Sequence, residues 1–117
     1  MLESVVSRKA GVDILQNTEP LVFSTVGTHM LIAAVTGKSI KVVRISIAAA
    51  ADQTVTISSD VNIIQKWIMA QYSVAPPNVD LVGTEGSPVL QTNEGEALKA
   101  SLTVAIATQF YIQYVMV

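Results

Sequence analysis

From Pro20 onward the chain is dominated by short runs in which apolar and polar residues take turns. Successive side chains of a strand point to opposite faces, so each such run predicts a strand with one buried side. Gln53–Ser59 is the cleanest case, with Val55 and Ile57 expected inward and Thr54, Thr56 and Ser58 outward. In Ile40–Ala48, Val43, Ile45 and Ile47 share one side, and Arg44 and Ser46 take the other. Ala97–Ile106 sets Leu98, Ala100, Leu102, Val104 and Ile106 against Lys99, Ser101 and Thr103. Gln109–Val117 gathers Phe110, Ile112, Tyr114 and Met116 on one face. Leu21–Val26 and Met30–Val35 predict two further strands around a turn at Gly27-Thr28-His29. Val61–Tyr72 fits helical spacing and period two alike, and the strand texture around it favours β.

Turn chemistry separates these runs. Thr36-Gly37-Lys38, Asp52-Gln53 and Asn93-Glu94-Gly95-Glu96 are turn signals, and the proline- and glycine-bearing stretch Ser73–Pro88 reads as a loop with one short strand near Val79–Val82. About eight short strands with turns between them predict an all-β fold, an antiparallel β-sandwich of jelly-roll-like type. The apolar last strand would invite foreign pairing if left bare, so it is expected inside a sheet. Residues 1–19 are more polar and are expected to form an N-terminal arm, leaving 20–117 as the sandwich domain.

Composition adds a constraint on the surface. Half of the 117 residues are hydrophobic and only 14% are charged, against about 25% in a typical soluble domain. Mean hydropathy is +0.49. The runs Pro20–Gly37 and Ala100–Val117 approach the length of a membrane span but are rich in β-branched and hydroxyl residues, so they read as strand pairs and no membrane partner is expected. A two-layer sandwich covers one face of each sheet. The surplus apolar area must then be covered by the arm, by loops or by other subunits. With a net charge of −2 there is no basic footprint, and nucleic acid is not expected as a partner.

Candidate chemistry is sparse. The chain has no cysteine, which excludes disulfides, thiol catalysis and thiolate-bound zinc. His29 stands alone, Glu94 and Glu96 flank a turn glycine, and Asp52, Asp60 and Asp80 are scattered. Neither phosphate-binding glycine motif occurs. No catalytic, metal or cofactor site is nominated, and the chain is not expected to be an enzyme. What remains is contact. Val5, Val6, Val12, Ile14 and Leu15 are apolar anchors for an arm that reaches a neighbour. Lys38, Lys41 and Arg44 read either as the wet side of a strand or as counter-charges to an acidic partner surface. Trp67 and Tyr72 offer flat faces for stacking on a sugar, or for core and interface packing.

The segments KSIKVVRISIAAAADQTVTISS (Lys38–Ser59) and NEGEALKASLTVAIATQFYIQYVMV (Asn93–Val117) carry a resemblance. With its basic alternating strand, its TVT-type strand and a final pair marked by Gly95–Leu98, Leu102, Ala105 and Tyr114, Lys38–Val117 resembles the head decoration (cement) proteins and related small β-sandwich domains of tailed-bacteriophage particles. It departs from that pattern in its central loop, where Ala75-Pro76-Pro77-Asn78 and Ser87-Pro88 replace a glycine-rich, aromatic stretch. The resemblance implies a non-enzymatic virion subunit on the capsid surface, a homotrimer that bridges subunits of the major capsid protein and needs no cofactor. The alternative is a receptor- or glycan-binding domain of a phage fibre, using Trp67, Tyr72 and the Ser73–Pro88 loop.

The assigned facing is testable directly. A charge placed at Leu102 or Ile112 is expected to prevent folding, whereas Thr54→Lys is expected to be tolerated, as read by circular dichroism and thermal melting. Equal tolerance at all three positions would contradict the facing.

Overall fold

The structure is a computed structural model that describes residues 15–18, 20–70 and 77–117. Within these, the alternating runs become ten strands: β1 (Gln16–Asn17), β2 (Leu21–Phe23), β3 (Gly27–Ile32), β4 (Ile40–Ala49), β5 (Gln53–Ser59), β6 (Asn62–Met69), β7 (Asn78–Val82), β8 (Leu90–Gln91), β9 (Leu98–Leu102) and β10 (Thr108–Met116). Every pairing is antiparallel. The first sheet runs β1-β10-β4-β7, with β2 also on β10 and β8 also on β4; the second runs β3-β9-β5-β6. Counted in chain order without the two-residue β1 and β8, the strands stand 1-8-3-6 in one sheet and 2-7-4-5 in the other. That interleaving of two sheets is a jelly roll.

The inner faces make one core. Phe110 and Ile112 of β10 stand opposite Ile47 and Ile45 of β4. Across the sandwich lie Val55 and Ile57 of β5 and Leu98, Ala100 and Leu102 of β9, all buried. Full burial of a side chain of Val, Ile or Phe size contributes about 1.5–3 kcal/mol. The last strand lies inside the first sheet, as expected, flanked by β4 on one side and by β1 and β2 on the other.

Three details differ from the sequence expectation. First, β4 carries a bulge: Gln113 pairs with Arg44 and Tyr114 with Val42, so Val43 has no partner on β10. The extra residue flips the alternation, and Ile40 and Val42 join Ile45, Ile47 and Ala49 inside while Val43 is only half-buried. Second, Gly27-Thr28-His29 is strand, and the turn falls at 24–26. His29 holds that corner, stacking on Phe23 with ring centroids 4.4 Å apart and donating from Nε2 to the Thr25 carbonyl at 2.8 Å. Third, β9 stops at Leu102, and Val104 is 43% exposed.

The third difference has a polar cause. The Gln53 side chain, only 2% exposed, sits where the chain leaves β9 to cross to β10. Its Oε1 accepts from the backbone N–H of Val104 at 2.9 Å and of Thr103 at 3.2 Å. Its Nε2 donates to the Val104 carbonyl at 2.8 Å and to Thr108 Oγ1 at 3.1 Å. One amide thus satisfies backbone groups that the end of the ladder would otherwise strand in a dry site. Gln53→Ala is expected to cost about 3 kcal/mol in urea unfolding, because it leaves several buried groups unpaired. A loss under about 1 kcal/mol would show that the crossing does not depend on this amide.

Candidate interaction surface

Register decides which side chains meet on the outer face of the second sheet. Thr28 of β3 faces Ser101 of β9, which faces Thr56 of β5, which faces Lys66 of β6. The neighbouring row is Met30, Lys99, Ser58 and Ile63. Hydroxyls therefore form the centre of this face, with Met30 at one margin and Ile63 at the other. The Thr28 and Ser101 hydroxyls share a hydrogen bond at 2.8 Å. An open trough of about 470 Å³ crosses the face, and Val61 and Ile63 form its wall on the β6 side.

The β5–β6 turn shapes that wall. Asp60 takes a left-handed backbone conformation (φ 50°), a region aspartate tolerates better than most residues. Its Oδ1 accepts the Ala97 N–H at 3.3 Å and pairs with Lys99 Nζ at 3.5 Å. The Lys99 charge is thereby offset at the trough. Val61 of the turn and Ile63 and Ile68 of β6 point outward, 88%, 71% and 79% exposed. Scattered exposed apolar residues are ordinary; here they border one trough and one strand.

The residues singled out in the sequence fall in several places. Arg44 lies on the outer face of the first sheet in a two-pronged pair with Asp80, Nε to Oδ1 and Nη2 to Oδ2 both at 3.3 Å. Because of the Val43 bulge, Lys41 shares that outer face with Arg44 although the two are three apart. Lys38 stands in the exposed turn before β4, its carbonyl accepting the Gly95 N–H at 2.7 Å. Trp67 is half-buried opposite Val55 and packs against the core. Leu15 is half-buried just before β1, which pairs with the end of β10. There Tyr114 donates its hydroxyl to Gln16 Oε1 at 3.3 Å, and partial burial raises the phenol pKa. Val5, Val6, Val12, Ile14 and Tyr72 lie outside the described residues.

The sequence reading missed the hydroxyl centre made by Thr28, Ser58 and Ser101. The outward Thr and Ser of Gln53–Ser59 were visible, but which residues of β3 and β9 stand beside them is a matter of register. Ser59, bonded to the Glu96 carboxylate at 2.5 Å, is buried and also accepts the Asn93 N–H, so it ties the Asn93–Glu96 turn to β5. Among the described residues no three His, Asp or Glu side chains cluster as metal ligands.

Because the outer side chains of β6 contribute little to the core, Ile63→Thr and Ile68→Thr are each expected to change the unfolding free energy by less than about 0.5 kcal/mol. Chemical denaturation measures this, and a loss of about 2 kcal/mol would place them in the fold's own packing. A comparison of the chain with family models finds no match, and a comparison with curated proteins finds none.

Proposed function

We propose that the protein is a non-enzymatic structural subunit of a phage particle, decorating the capsid and bracing it by bridging capsid subunits. The observation that carries this reading is the outward apolar set formed by Val61 and Ile63 at the hydroxyl-lined trough and Ile68 farther along β6. The inner sides of the same sheet already fill the core, so this set is available to a partner. Jelly rolls serve in capsid and in lectin domains alike, and the fold alone favours neither. Among the described residues Trp67 packs toward the core and no aromatic lines the trough, which gives the glycan-binding alternative no support on this face.

The mechanism is mechanical. Packaged DNA pushes a shell outward, and a subunit that spans neighbouring capsid proteins adds contacts that must break before the shell opens. Whatever binds only the intact shell stabilises it by linkage. Apolar side chains at the contact supply the attraction, and the hydroxyls supply hydrogen-bond partners for a neighbour's backbone.

Particles assembled without this chain are expected to release DNA at a lower temperature than complete particles, as read by a DNA-binding dye during heating. Adding back the purified protein is expected to restore the complete particles' value. Absence of the chain from purified particles, or unchanged release on its removal, would overturn the reading.

A further inference from the structure

The edges of the two sheets are closed unequally. On one side of the first sheet, β10 is lined among the described residues only by the two-residue β1 and the three-residue β2. On the other, β7 and β8 together line β4, broken by a loop that folds back at the bulge, where Gly83 N–H donates to Val43 and Val89 N–H to Val42. Short, interrupted strands of this kind blunt an edge. In the second sheet, β3 has six residues and a bulge at Leu31. β6 is different. It is eight residues long, and its bulge at Ile64 lies near its start, so Gln65–Met69 runs regularly. Among the described residues only β5 pairs with it. Lys66 is its only charge.

We propose that β6 is the contact between two copies of this chain, pairing antiparallel with itself across a two-fold axis to join two four-stranded sheets into one of eight. Self-pairing on a two-fold axis is the commonest route to a homodimer, and strand addition at an open edge supplies backbone hydrogen bonds at once. The register follows from side-chain facing. Opposed residues must lie on the same face, so the axis passes through a residue and not between two. An axis at Lys66 opposes like charges, which is unfavourable. An axis at Gln65 runs the Ile64 bulge into the pairing. An axis at Trp67 sets each Lys66 against Ile68 of the copy. An axis at Ile68 sets Ile68 against Ile68, Trp67 against Met69 and Lys66 against the small Ala70, so apolar meets apolar and each ammonium stays at the flank. Ile68 is 79% exposed in the single chain, and in the pair its flank packs against Ile68 of the copy.

Five paired residues and their side chains make a contact at the small end of the interface range, below the ~800 Å² per partner of a standard one. The dimer is therefore expected to form at tens to hundreds of micromolar and to dissociate on dilution. The two-fold pair differs from the three-fold assembly that the resemblance implies.

Sedimentation velocity of the full chain over that concentration range tests this. The native chain is expected to pass from monomer to dimer, and Ile68→Lys is expected to remain monomeric with an unchanged thermal midpoint. Val82→Lys, equally exposed on the other sheet, is expected to dimerise like the native chain. Because the chain has no cysteine, Ile68→Cys is expected to form a disulfide-linked dimer under mild oxidation, its Cβ atoms lying within bonding reach across the axis. A chain that stays monomeric throughout, one that forms only trimers, or a dimer untouched by Ile68→Lys overturns the proposal. The pairing rests on the reading of this face as an assembly surface, yet the two fail separately. Particles braced by a monomeric chain sink the pairing alone, and a dimer whose loss leaves particle rupture unchanged sinks the decoration reading alone.

Discussion

The β4–β10 pair is the constraint on which the rest of the molecule depends. It is the longest pairing in the fold, running from Thr108 opposite Ala49 to Met116 opposite Ile40. It lies inside the first sheet, so its inner residues Ile45, Ile47, Phe110 and Ile112 form the floor of the core. A period-two strand that must bury one face has one acceptable register, because a slip of one residue would turn that whole face to water. The bulge at Val43 shows how the constraint is met over a ten-residue strand. It changes the phase once, so Ile40 and Val42 stay inside at one end while Ile45 and Ile47 stay inside at the other. It also sets Lys41 and Arg44 on the same outer face.

Much of this arrangement can be read from residue types. Gln53–Ser59 spans the same residues in pattern and in structure, and the ambiguous Val61–Tyr72 resolves as strand β6 between Asn62 and Met69. The misses have a shared physical origin: each turns on a contact between residues far apart in sequence. Nothing local to Leu102 ends β9 there; the amide of Gln53, some fifty residues earlier, draws the next two N–H groups away from the ladder. Nothing local to Gly27-Thr28-His29 makes it strand; pairing with β9 does, and the ring of Phe23 gives His29 its place. The Val43 bulge is likewise invisible without its partner strand. The candidate surface was legible only as a surplus of apolar residues. Its location needed the register that brings Thr28, Ser101 and Thr56 into one row.

The same alternation that builds the core also dictates what β6 leaves outside. Its inward residues, Trp67 and Met69, reach the core, so its outward positions are free to vary without cost to folding. Lysine or glutamate at Ile63 and Ile68 would keep the sandwich intact and protect the edge from unwanted pairing, as edge strands commonly do. The chain instead carries isoleucine at both positions. Isoleucine there adds little to the fold's own stability, and at Ile68 it is what the pairing proposed for β6 requires.

Low charge also favours the proposed pairing. With 14% charged residues and a net charge of −2, two copies approaching each other meet weak long-range repulsion. The Arg44–Asp80 and Lys99–Asp60 pairs pair off charge on the outer faces of the two sheets, lowering it further. A lone soluble globule gains from a strongly charged exterior, which holds copies apart. This exterior does the reverse: it keeps long-range repulsion weak and, among the described residues, leaves β6, with Ile63 and Ile68 outward on either side of Lys66, as the one long edge of the second sheet that is uninterrupted in its middle. The two features arise from different residues, and both support the pairing proposed for β6.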